Sequence, residues 1–234
     1  MKIWIVIPTY CERENVEPLV ESIRRHCPGD PRVLIVDDGS PDGTARVARE
    51  LSGVEVLERS GPRGYGHSMR EGLQRAIAAG AECVVTMDAD LSHDPAILPA
   101  LLEGVGRAEL VVGSRYCGEE ALVRDWPLRR LVVSRVATML VRVSTGVALS
   151  DPTSGYRCWD AALLRRLQLD RVRSGGFAFL YELLSHVHAA GGTVAEVPNV
   201  YHGRTYGESK MNAGIIAEAV RLLPRMLMRR VLSN

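Results

Sequence analysis

The feature that most constrains the fold is a regular alternation of short apolar strands with helical segments over the first half of the chain. Runs rich in β-branched and aliphatic residues predict strands at Lys2–Ile7, Val33–Val36, Val54–Leu57, Cys83–Met87 and Leu110–Gly113. Segments with helical periodicity separate them, at Val16–His26, Thr44–Leu51, Ser68–Ala79 and Pro95–Val105. Such alternation predicts an α/β fold with a mainly parallel sheet and helices on both faces.

The second half of the chain has a different character. An apolar helix that also carries arginines is predicted over Leu128–Val143, and a loop over Ser150–Tyr156. A further helix near Phe179–Ala189 and a strand near Thr193–Val197 follow. With no internal repeat and no low-complexity linker, the chain is predicted to form one domain over residues 1–211. A C-terminal amphipathic helix is expected over residues 212–234.

Composition excludes several classes of protein. Hydrophobic residues make up 46% and charged residues 24%, a balance typical of a chain that buries a core and not of a disordered or collagen-like one. Five cysteines without a Cys-x-x-Cys pair argue against a disulfide framework or a zinc site and favour a reducing compartment. No apolar run approaches about 18 residues, so no membrane-spanning segment is predicted.

Charge is divided unevenly between the two halves. Residues 1–120 contain 13 Lys and Arg against 20 Asp and Glu, whereas residues 121–234 contain 16 against 8. Of the 29 cationic residues only Lys2 and Lys210 are lysines. This asymmetry predicts a metal or cation site in the first half and anionic ligands in the second, although uneven surface charge alone would give the same numbers.

The strongest local motif is Asp88-Ala89-Asp90 at the end of an apolar strand. If the chain stays extended, alternation places both carboxylates on one side, where their repulsion favours a cation between them. Carboxylate oxygens without nitrogen or sulfur ligands are typical of Mg²⁺ or Mn²⁺, which also takes phosphate oxygens. The alternative is a pair of solvated loop aspartates.

Two further strand ends carry polar residues. Val36 leads into Asp37-Asp38-Gly39-Ser40, whose carboxylates suit hydrogen bonds to a base or ribose, although a plain turn with helix capping by Asp42 explains part of the pattern. Ile7 leads into Pro8-Thr9-Tyr10-Cys11-Glu12. No G-x-x-x-x-G-K-[ST] loop occurs, and residues 64–69 have Met where a dinucleotide fingerprint has its third glycine.

Together these motifs resemble those of family 2 glycosyltransferases. Pro8-Thr9-Tyr10-x-Glu12, the Asp37-Asp38 segment, Asp88-Ala89-Asp90 and Gly113-Ser114-Arg115-Tyr116 occur in the order seen in that family. Two more specific motifs, residues 151–156 (DPTSGY) and Arg204-x-x-Gly207-x-Ser209-Lys210, resemble the dolichyl- or polyprenyl-phosphate mannose synthases. The similarity covers about residues 3–211. It implies a GT-A fold, a Rossmann-like α/β architecture.

The resemblance implies transfer of mannose from GDP-mannose to a polyprenyl or dolichyl monophosphate, with inversion at the anomeric carbon. It implies nucleoside contacts from Pro8, Tyr10, Glu12, Val36 and Asp38, and contacts to the diphosphate and its Mg²⁺ or Mn²⁺ from Asp88, Ala89 and Asp90. The residues implied to gather the acceptor phosphate are Arg115, Arg130, Ser134, Arg204 and Lys210. Of all these, the ones expected to act in catalysis are Asp90, Arg115, Arg204 and Lys210.

One departure from the family affects the metal site. Many relatives have Gln two positions after the second aspartate, where this chain has Ser92, a poorer metal ligand. Metal preference is therefore left open. The six histidines are interpreted as surface or core residues.

The chemistry is coherent because a phosphate monoester is already anionic at neutral pH and needs positioning and charge relief more than a general base. Two alternatives remain: transfer from UDP-glucose or a UDP-N-acetylhexosamine to the same lipid, and a catalytically dead, membrane-peripheral binding subunit. No nucleic-acid partner is predicted.

Membrane contact is expected to be peripheral, at the cytoplasmic face. Residues 213–232 and, as a second candidate, 128–143 combine arginines with apolar side chains, as interfacial helices do. A membrane-anchoring subunit is a further candidate partner. The alternative is a helix packed on the domain with solvated arginines.

Overall fold

The computed structural model describes residues 1–118, 128–200, 222–224 and 226–228, and within residues 128–145 the side chains of 135, 136 and 138–145. In these parts seven strands form one sheet: β1 Ile3–Thr9, β2 Arg32–Asp37, β3 Val54–Glu58, β4 Cys83–Thr86, β5 Leu110–Ser114, β6 Arg157–Asp160 and β7 Val194–Pro198. The helices are α1 Arg13–His26, α2 Thr44–Glu50, α3 Tyr65–Ala78, α4 Leu98–Gly104, α5 Leu128–Thr145, α6 Ala161–Arg166 and α7 Ala178–Ala189.

The strand order is β3-β2-β1-β4-β6-β5-β7, and every neighbouring pair is parallel except those that β6 makes. The expected mainly parallel α/β sheet is thereby confirmed. β6 runs antiparallel to both β4 and β5, and no feature of its four residues predicted a strand there. It is followed by α6, which the sequence pattern also left unassigned.

Helices cover both faces of the sheet, and β1 shows how one strand serves two cores. Trp4 and Val6 contribute to a cluster that contains residues of α3, α6 and α7, whereas Ile5 and Ile7 contribute to a cluster that contains residues of α1 and α4. All four side chains are fully buried, as expected for a central strand of a parallel sheet.

A glycine allows α3 to lie directly on the sheet. A Cβ atom at Gly72 would collide with Val6 and would stand 2.9 Å from Cγ2 of Val36. Only a residue without a side chain permits this approach, which brings the middle of α3 against β1 and β2.

The segment after β4 differs from the expectation of an extended chain. β4 ends at Thr86, residues 89–91 form a bend, and Leu91 has a φ of +62°. Alternation along a strand therefore does not determine how Asp88 and Asp90 are oriented. Their positions come instead from hydrogen bonds within the loop, described below.

Most of the predicted C-terminal helix over residues 212–234 lies outside the described residues. Residues 222–224 and 226–228 are described, and both pieces are helical. Among the parts of the chain that the structure describes, no helix has the length and hydropathy required to cross a bilayer.

Candidate active site

The polar segments singled out in the sequence follow adjacent strands at one edge of the sheet. β2, β1 and β4 are parallel neighbours, so residues 10–12, 38–44 and 88–90 all begin where those strands end. The order of strands reverses between β1 and β4, and ligands of open α/β sheets bind beyond such a switch point. Because β6 is antiparallel, the loop over 150–156 enters the sheet at this same edge.

The segment after β1 forms one wall of the site. The Arg63 guanidinium lies 4.6 Å from the centre of the Tyr10 ring and donates a 2.7 Å hydrogen bond to its hydroxyl. Glu12 is buried and accepts a 2.6 Å hydrogen bond from the Asn15 amide. The backbone of Pro8 pairs with that of Val36. Arg63 thus covers one face of the Tyr10 ring, and a base that stacks on Tyr10 would use the other face.

The two aspartates after β2 are engaged by the protein itself. Asp37 accepts hydrogen bonds from Thr9 and from the backbone and hydroxyl of Ser40. Asp38 accepts a 2.7 Å bond from the backbone N–H of Gly64 and forms an ion pair with Arg59.

Arg59 is itself buried and also pairs with Glu71 at 2.9 Å, so Asp38 belongs to a fixed charged network. The side chain of Val36 is fully buried, which leaves its backbone as the part able to contact a nucleoside. Sequence reasoning missed Arg59.

The loop after β4 presents one aspartate to solvent and folds around the other. The Asp88 side chain is 32% exposed, whereas Asp90 and Ala89 are buried. Asp90 accepts a 2.6 Å bond from the Ser92 hydroxyl and a 3.1 Å bond from the Ser92 backbone N–H. Ser92 therefore orients the Asp90 carboxylate, and the metal ligation considered for Ser92 stays untested.

His93 holds the backbone of this loop. Its Nδ1 accepts a 3.0 Å hydrogen bond from the N–H of Asp88, and its ring stacks on Tyr156 with centroids 4.9 Å apart. The Tyr156 hydroxyl in turn donates to the carbonyl of Asp94 at 3.1 Å. His93 is buried, as expected for a core histidine, but its contact with the acidic motif was not foreseen.

The donor set fits a hard divalent cation. Asp88 and Asp90 supply carboxylate oxygens, and Mg²⁺ commonly uses one or two carboxylates together with substrate phosphate oxygens. Within the described ranges, no group of three or more His, Cys, Asp and Glu side chains could hold a metal without added phosphate oxygens. Two carboxylates therefore match a cation that binds together with a phosphorylated ligand.

Arg115 follows β5 and is paired with Asp151. It donates two 2.7 Å hydrogen bonds to the two carboxylate oxygens, and its Nη2 also donates to the Thr153 hydroxyl. Burial by itself raises the pKa of Asp151, but the hydrogen bonds and charge of Arg115 outweigh burial and hold the pKa below its usual value. The guanidinium thus anchors the 150–156 loop, and contact with a phosphate remains a prediction.

Two further residues that the sequence analysis missed fix this loop. Glu196 on β7 accepts hydrogen bonds from the backbone N–H groups of Ser150 and Asp151 at 2.7 and 2.9 Å. Arg157 is fully buried and donates to three backbone carbonyls, those of Pro152, Ser154 and Leu180. Burial lowers the pKa of Arg157 to about 10, so it remains charged near neutral pH. An arginine directly after the DPTSGY motif was the available signal.

Tyr65, the first residue of α3, lies beside Gly155. Its ring stacks on Phe177 with centroids 4.5 Å apart and planes 14° from parallel. Burial, followed by the negative charge of Asp88, raises the pKa of Tyr65 well above its usual value. The phenol is thus a neutral hydroxyl, and the sequence analysis assigned it no role.

Four predicted site residues cannot be placed. Arg204 and Lys210 lie outside the described residues, as do the side chains of Arg130 and Ser134, whose backbone belongs to α5. Their assignments remain predictions.

Comparison with known proteins identifies the family. The family model described as "Glycosyl transferase family 2" matches residues 4–172. A polyprenol monophosphomannose synthase from Mycolicibacterium smegmatis is 39% identical over 222 residues, covering 92% of this chain and 83% of the relative. An undecaprenyl-phosphate mannosyltransferase from Micrococcus luteus is also 39% identical, covering 94% and 91%. A dolichol-phosphate mannosyltransferase from Pyrococcus furiosus is 33% identical; this chain spans 64% of its length.

Solved structures support the same architecture. Glucosyl-3-phosphoglycerate synthase from Mycobacterium tuberculosis, crystallised with Mn²⁺, UDP and its product, superposes with a TM-score of 0.71 at 20% identity, covering 98% of this chain and 79% of the other. The same enzyme with phosphoglyceric acid gives a TM-score of 0.72. At this identity the match shows the fold alone, and it confirms the expected GT-A architecture. The chain is a member of glycosyl transferase family 2.

Proposed function

We propose that the protein transfers mannose from GDP-mannose to a polyprenyl monophosphate, with inversion at the anomeric carbon. The observation that carries this proposal is similarity along nearly the whole chain to three enzymes named as lipid-phosphate mannosyltransferases, two of them at 39% identity. The site agrees with the proposal, since it places an aromatic wall, two carboxylates and an arginine-anchored loop at one sheet edge.

The reaction is a single displacement. An oxygen of the acceptor phosphate forms a bond to the anomeric carbon of mannose while the bond from that carbon to the donor β-phosphate breaks, and GDP leaves with the electron pair. The attacking phosphate is already anionic near neutral pH, so no strong general base is required. What the protein must supply is alignment of two anionic groups and relief of their repulsion.

The acidic loop is suited to the donor side of this task. Asp88 and Asp90 would hold Mg²⁺ or Mn²⁺, which would neutralise charge on the diphosphate as it leaves. The hydrogen bond that Ser92 donates to Asp90 and the one that His93 accepts from the N–H of Asp88 fix this loop before a ligand arrives. Tyr10 and the segment after β2 would hold the nucleoside.

The acceptor side combines described and undescribed residues. Arg115 reaches the edge of the site from β5, locked by Asp151, and its guanidinium adds positive potential there. Arg130, Ser134, Arg204 and Lys210 would complete the grip on the acceptor phosphate. In this proposal Arg204 and Lys210 close over both anions and exclude water, which strengthens every charge interaction inside the site.

Helix α5 supports contact with a membrane surface. Val136, Met139, Leu140 and Val143 are about half exposed or more, at 53%, 67%, 48% and 49%, and their spacing places them on one face. Exposed Arg135 and Arg142 flank that face.

Apolar side chains bordered by arginines suit the boundary between acyl chains and anionic headgroups, where the acceptor lipid resides. We infer peripheral attachment at the cytoplasmic face, either directly or with the help of an anchoring subunit.

A panel of donors tests the proposal. Purified protein, Mn²⁺ and undecaprenyl phosphate in vesicles are incubated with GDP-mannose, UDP-glucose or UDP-N-acetylglucosamine, and labelled lipid is counted. Transfer from GDP-mannose alone is expected. Transfer from a UDP-sugar instead would assign a different donor, and binding of nucleotide without transfer from any donor would indicate a binding subunit. A ligand at about 100 times its Kd stabilises the fold by roughly 2.7 kcal/mol, so thermal shifts give an independent measurement.

A further inference from the structure

The hydroxyl of Tyr65 occupies a position that the proposed chemistry does not yet explain. The stack on Phe177 fixes the plane of the ring, and the ring directs its oxygen towards the loop that contains Gly155. No described residue makes a hydrogen bond with this oxygen. A tyrosine that served only to pack against Phe177 would need no hydroxyl, because phenylalanine would stack equally well.

Gly155 lies directly against this hydroxyl. A Cβ atom at Gly155 would stand 2.7 Å from Oη of Tyr65, 3.5 Å from Oδ1 of Asp88 and 3.7 Å from Cε1 of His93. The carbonyl of Gly155 accepts a 2.8 Å hydrogen bond from Thr86, which holds this part of the loop against β4. A phenol oxygen and a carboxylate oxygen therefore both lie close to Gly155, on fixed supports.

We propose that Tyr65 is a donor-binding residue whose hydroxyl donates a hydrogen bond to the glycosyl-phosphate half of the nucleotide sugar, the part beyond the α-phosphate. The proposal rests on the proposed function for the presence of such a donor, but not on the identity of its base. The hydroxyl lies beside Asp88, the carboxylate assigned to the diphosphate. Its contact is therefore assigned to the phosphate or sugar and not to the base.

The test compares Tyr65→Phe with the wild-type protein for binding of GMP, GDP and GDP-mannose in Mn²⁺, by calorimetry. This substitution keeps the stacked ring and removes one oxygen. Loss of a hydrogen bond to a charged group typically weakens binding by about 10- to 100-fold, so a loss in that range is expected for GDP-mannose, with GMP affinity unchanged. An equal loss with GDP assigns the contact to the phosphate, and a loss confined to GDP-mannose assigns it to the sugar.

Tyr156→Phe is the matched control, because it too removes one phenol oxygen, and that oxygen bonds the Asp94 carbonyl. It should lower the thermal midpoint and keep the wild-type ratio of GDP-mannose to GMP affinity. Unchanged GDP-mannose affinity in Tyr65→Phe, or an equal loss for GMP, would overturn the proposal.

Gly155→Ala adds a steric measurement. Its methyl group would clash with the Tyr65 hydroxyl, so this change should impair donor binding in the wild-type background and have little further effect in Tyr65→Phe. Additive effects would contradict the geometry.

A wrong assignment of the donor nucleotide can be distinguished from a wrong assignment of Tyr65. If the wild-type protein prefers uracil nucleotides, the same comparison is made with UMP, UDP and UDP-glucose. A protein that binds no nucleoside diphosphate would overturn both proposals.

Discussion

His93 accepts a hydrogen bond from the backbone N–H of Asp88 through Nδ1, at 3.0 Å. The acceptor role of Nδ1 leaves Nε2 as the nitrogen that carries the proton in the neutral ring. His93 thus positions the backbone at the first aspartate of the acidic motif.

We expect that mutation can separate the hydrogen bond accepted by His93 from its stack on Tyr156. His93→Asn keeps an acceptor oxygen near the position of Nδ1 and loses the stack on Tyr156, whereas His93→Phe keeps the stack and loses the acceptor. If the hydrogen bond determines the conformation of the loop, His93→Asn should reach half-maximal activity at the wild-type Mn²⁺ concentration. His93→Phe should need about 10-fold more Mn²⁺, which corresponds to roughly 1.4 kcal/mol. Equal Mn²⁺ requirements in the two variants would exclude the positioning role.

Asp90→Ala should abolish transfer and weaken Mn²⁺-dependent binding of GDP, because the remaining carboxylate cannot hold the cation against water. Circular dichroism should show an intact fold. Asp30→Ala, an exposed change in the loop after α1 and away from the carboxyl ends of the strands, is the control and should have wild-type kinetics. Full activity in EDTA would contradict the metal assignment.

Asp151→Asn should destabilise the protein by about 3–5 kcal/mol at pH 7, since it breaks a buried ion pair. The pKa of Asp151 is lowered in the folded state, so the stability it contributes is present above its unfolded pKa of about 4 and is lost as pH falls below that value. Urea unfolding at pH 7, 5 and 3.5 should show the difference between wild type and variant shrinking in acid. A constant difference across this range would contradict the linkage.

Lys210→Ala should lower kcat and kcat/KM together, the result expected when an interaction forms chiefly in the transition state. Arg204→Ala should do the same and also raise KM for a short polyprenyl phosphate. Steady-state kinetics decides this prediction, and near-wild-type kcat in both variants would leave the two cations without a catalytic role. Arg46→Ala, which removes an exposed i,i+4 ion pair, is a suitable control.

Met139→Glu and Val143→Glu should each weaken binding to anionic vesicles at least 10-fold, because burial of such a side chain in an apolar phase contributes about 1.5–3 kcal/mol. Both side chains are exposed, so the thermal midpoint should change little. Ser52→Glu adds the same charge at an exposed loop far from α5 and should bind like the wild type. Cosedimentation provides the measurement.

The sequence was sufficient to group the acidic segments because a parallel sheet sends successive strand ends to one edge. Asp38 and Asp88 could be grouped on that basis alone. Arg59 required the register of the sheet: Asp37 pairs with Glu58, so the next residues, Asp38 and Arg59, emerge side by side. A single arginine after a strand gives no such signal until that register is known.

The loop over 150–156 was less predictable for a physical reason. It is held by Glu196 and Arg157, whose partners lie up to 46 residues away, and by pairing of β6 with β4 across 77 residues between Cys83 and Asp160. The four residues of β6 begin with an arginine and end with an aspartate, and they show no clear alternation of apolar and polar side chains. Contacts over such distances leave no local pattern for periodicity to detect.

The inverted strand β6 also decides whether the molecule can be divided. β4 and β5 are not paired with each other; each is joined to β6. A fragment ending at residue 118 would keep β1 to β4 together, but β4 would have an open edge and β5 would lack both of its neighbours. Unpaired strand edges promote association between chains. The parts of the sheet on either side of β6 therefore depend on this one strand, and cutting the chain before it leaves an exposed strand edge on both.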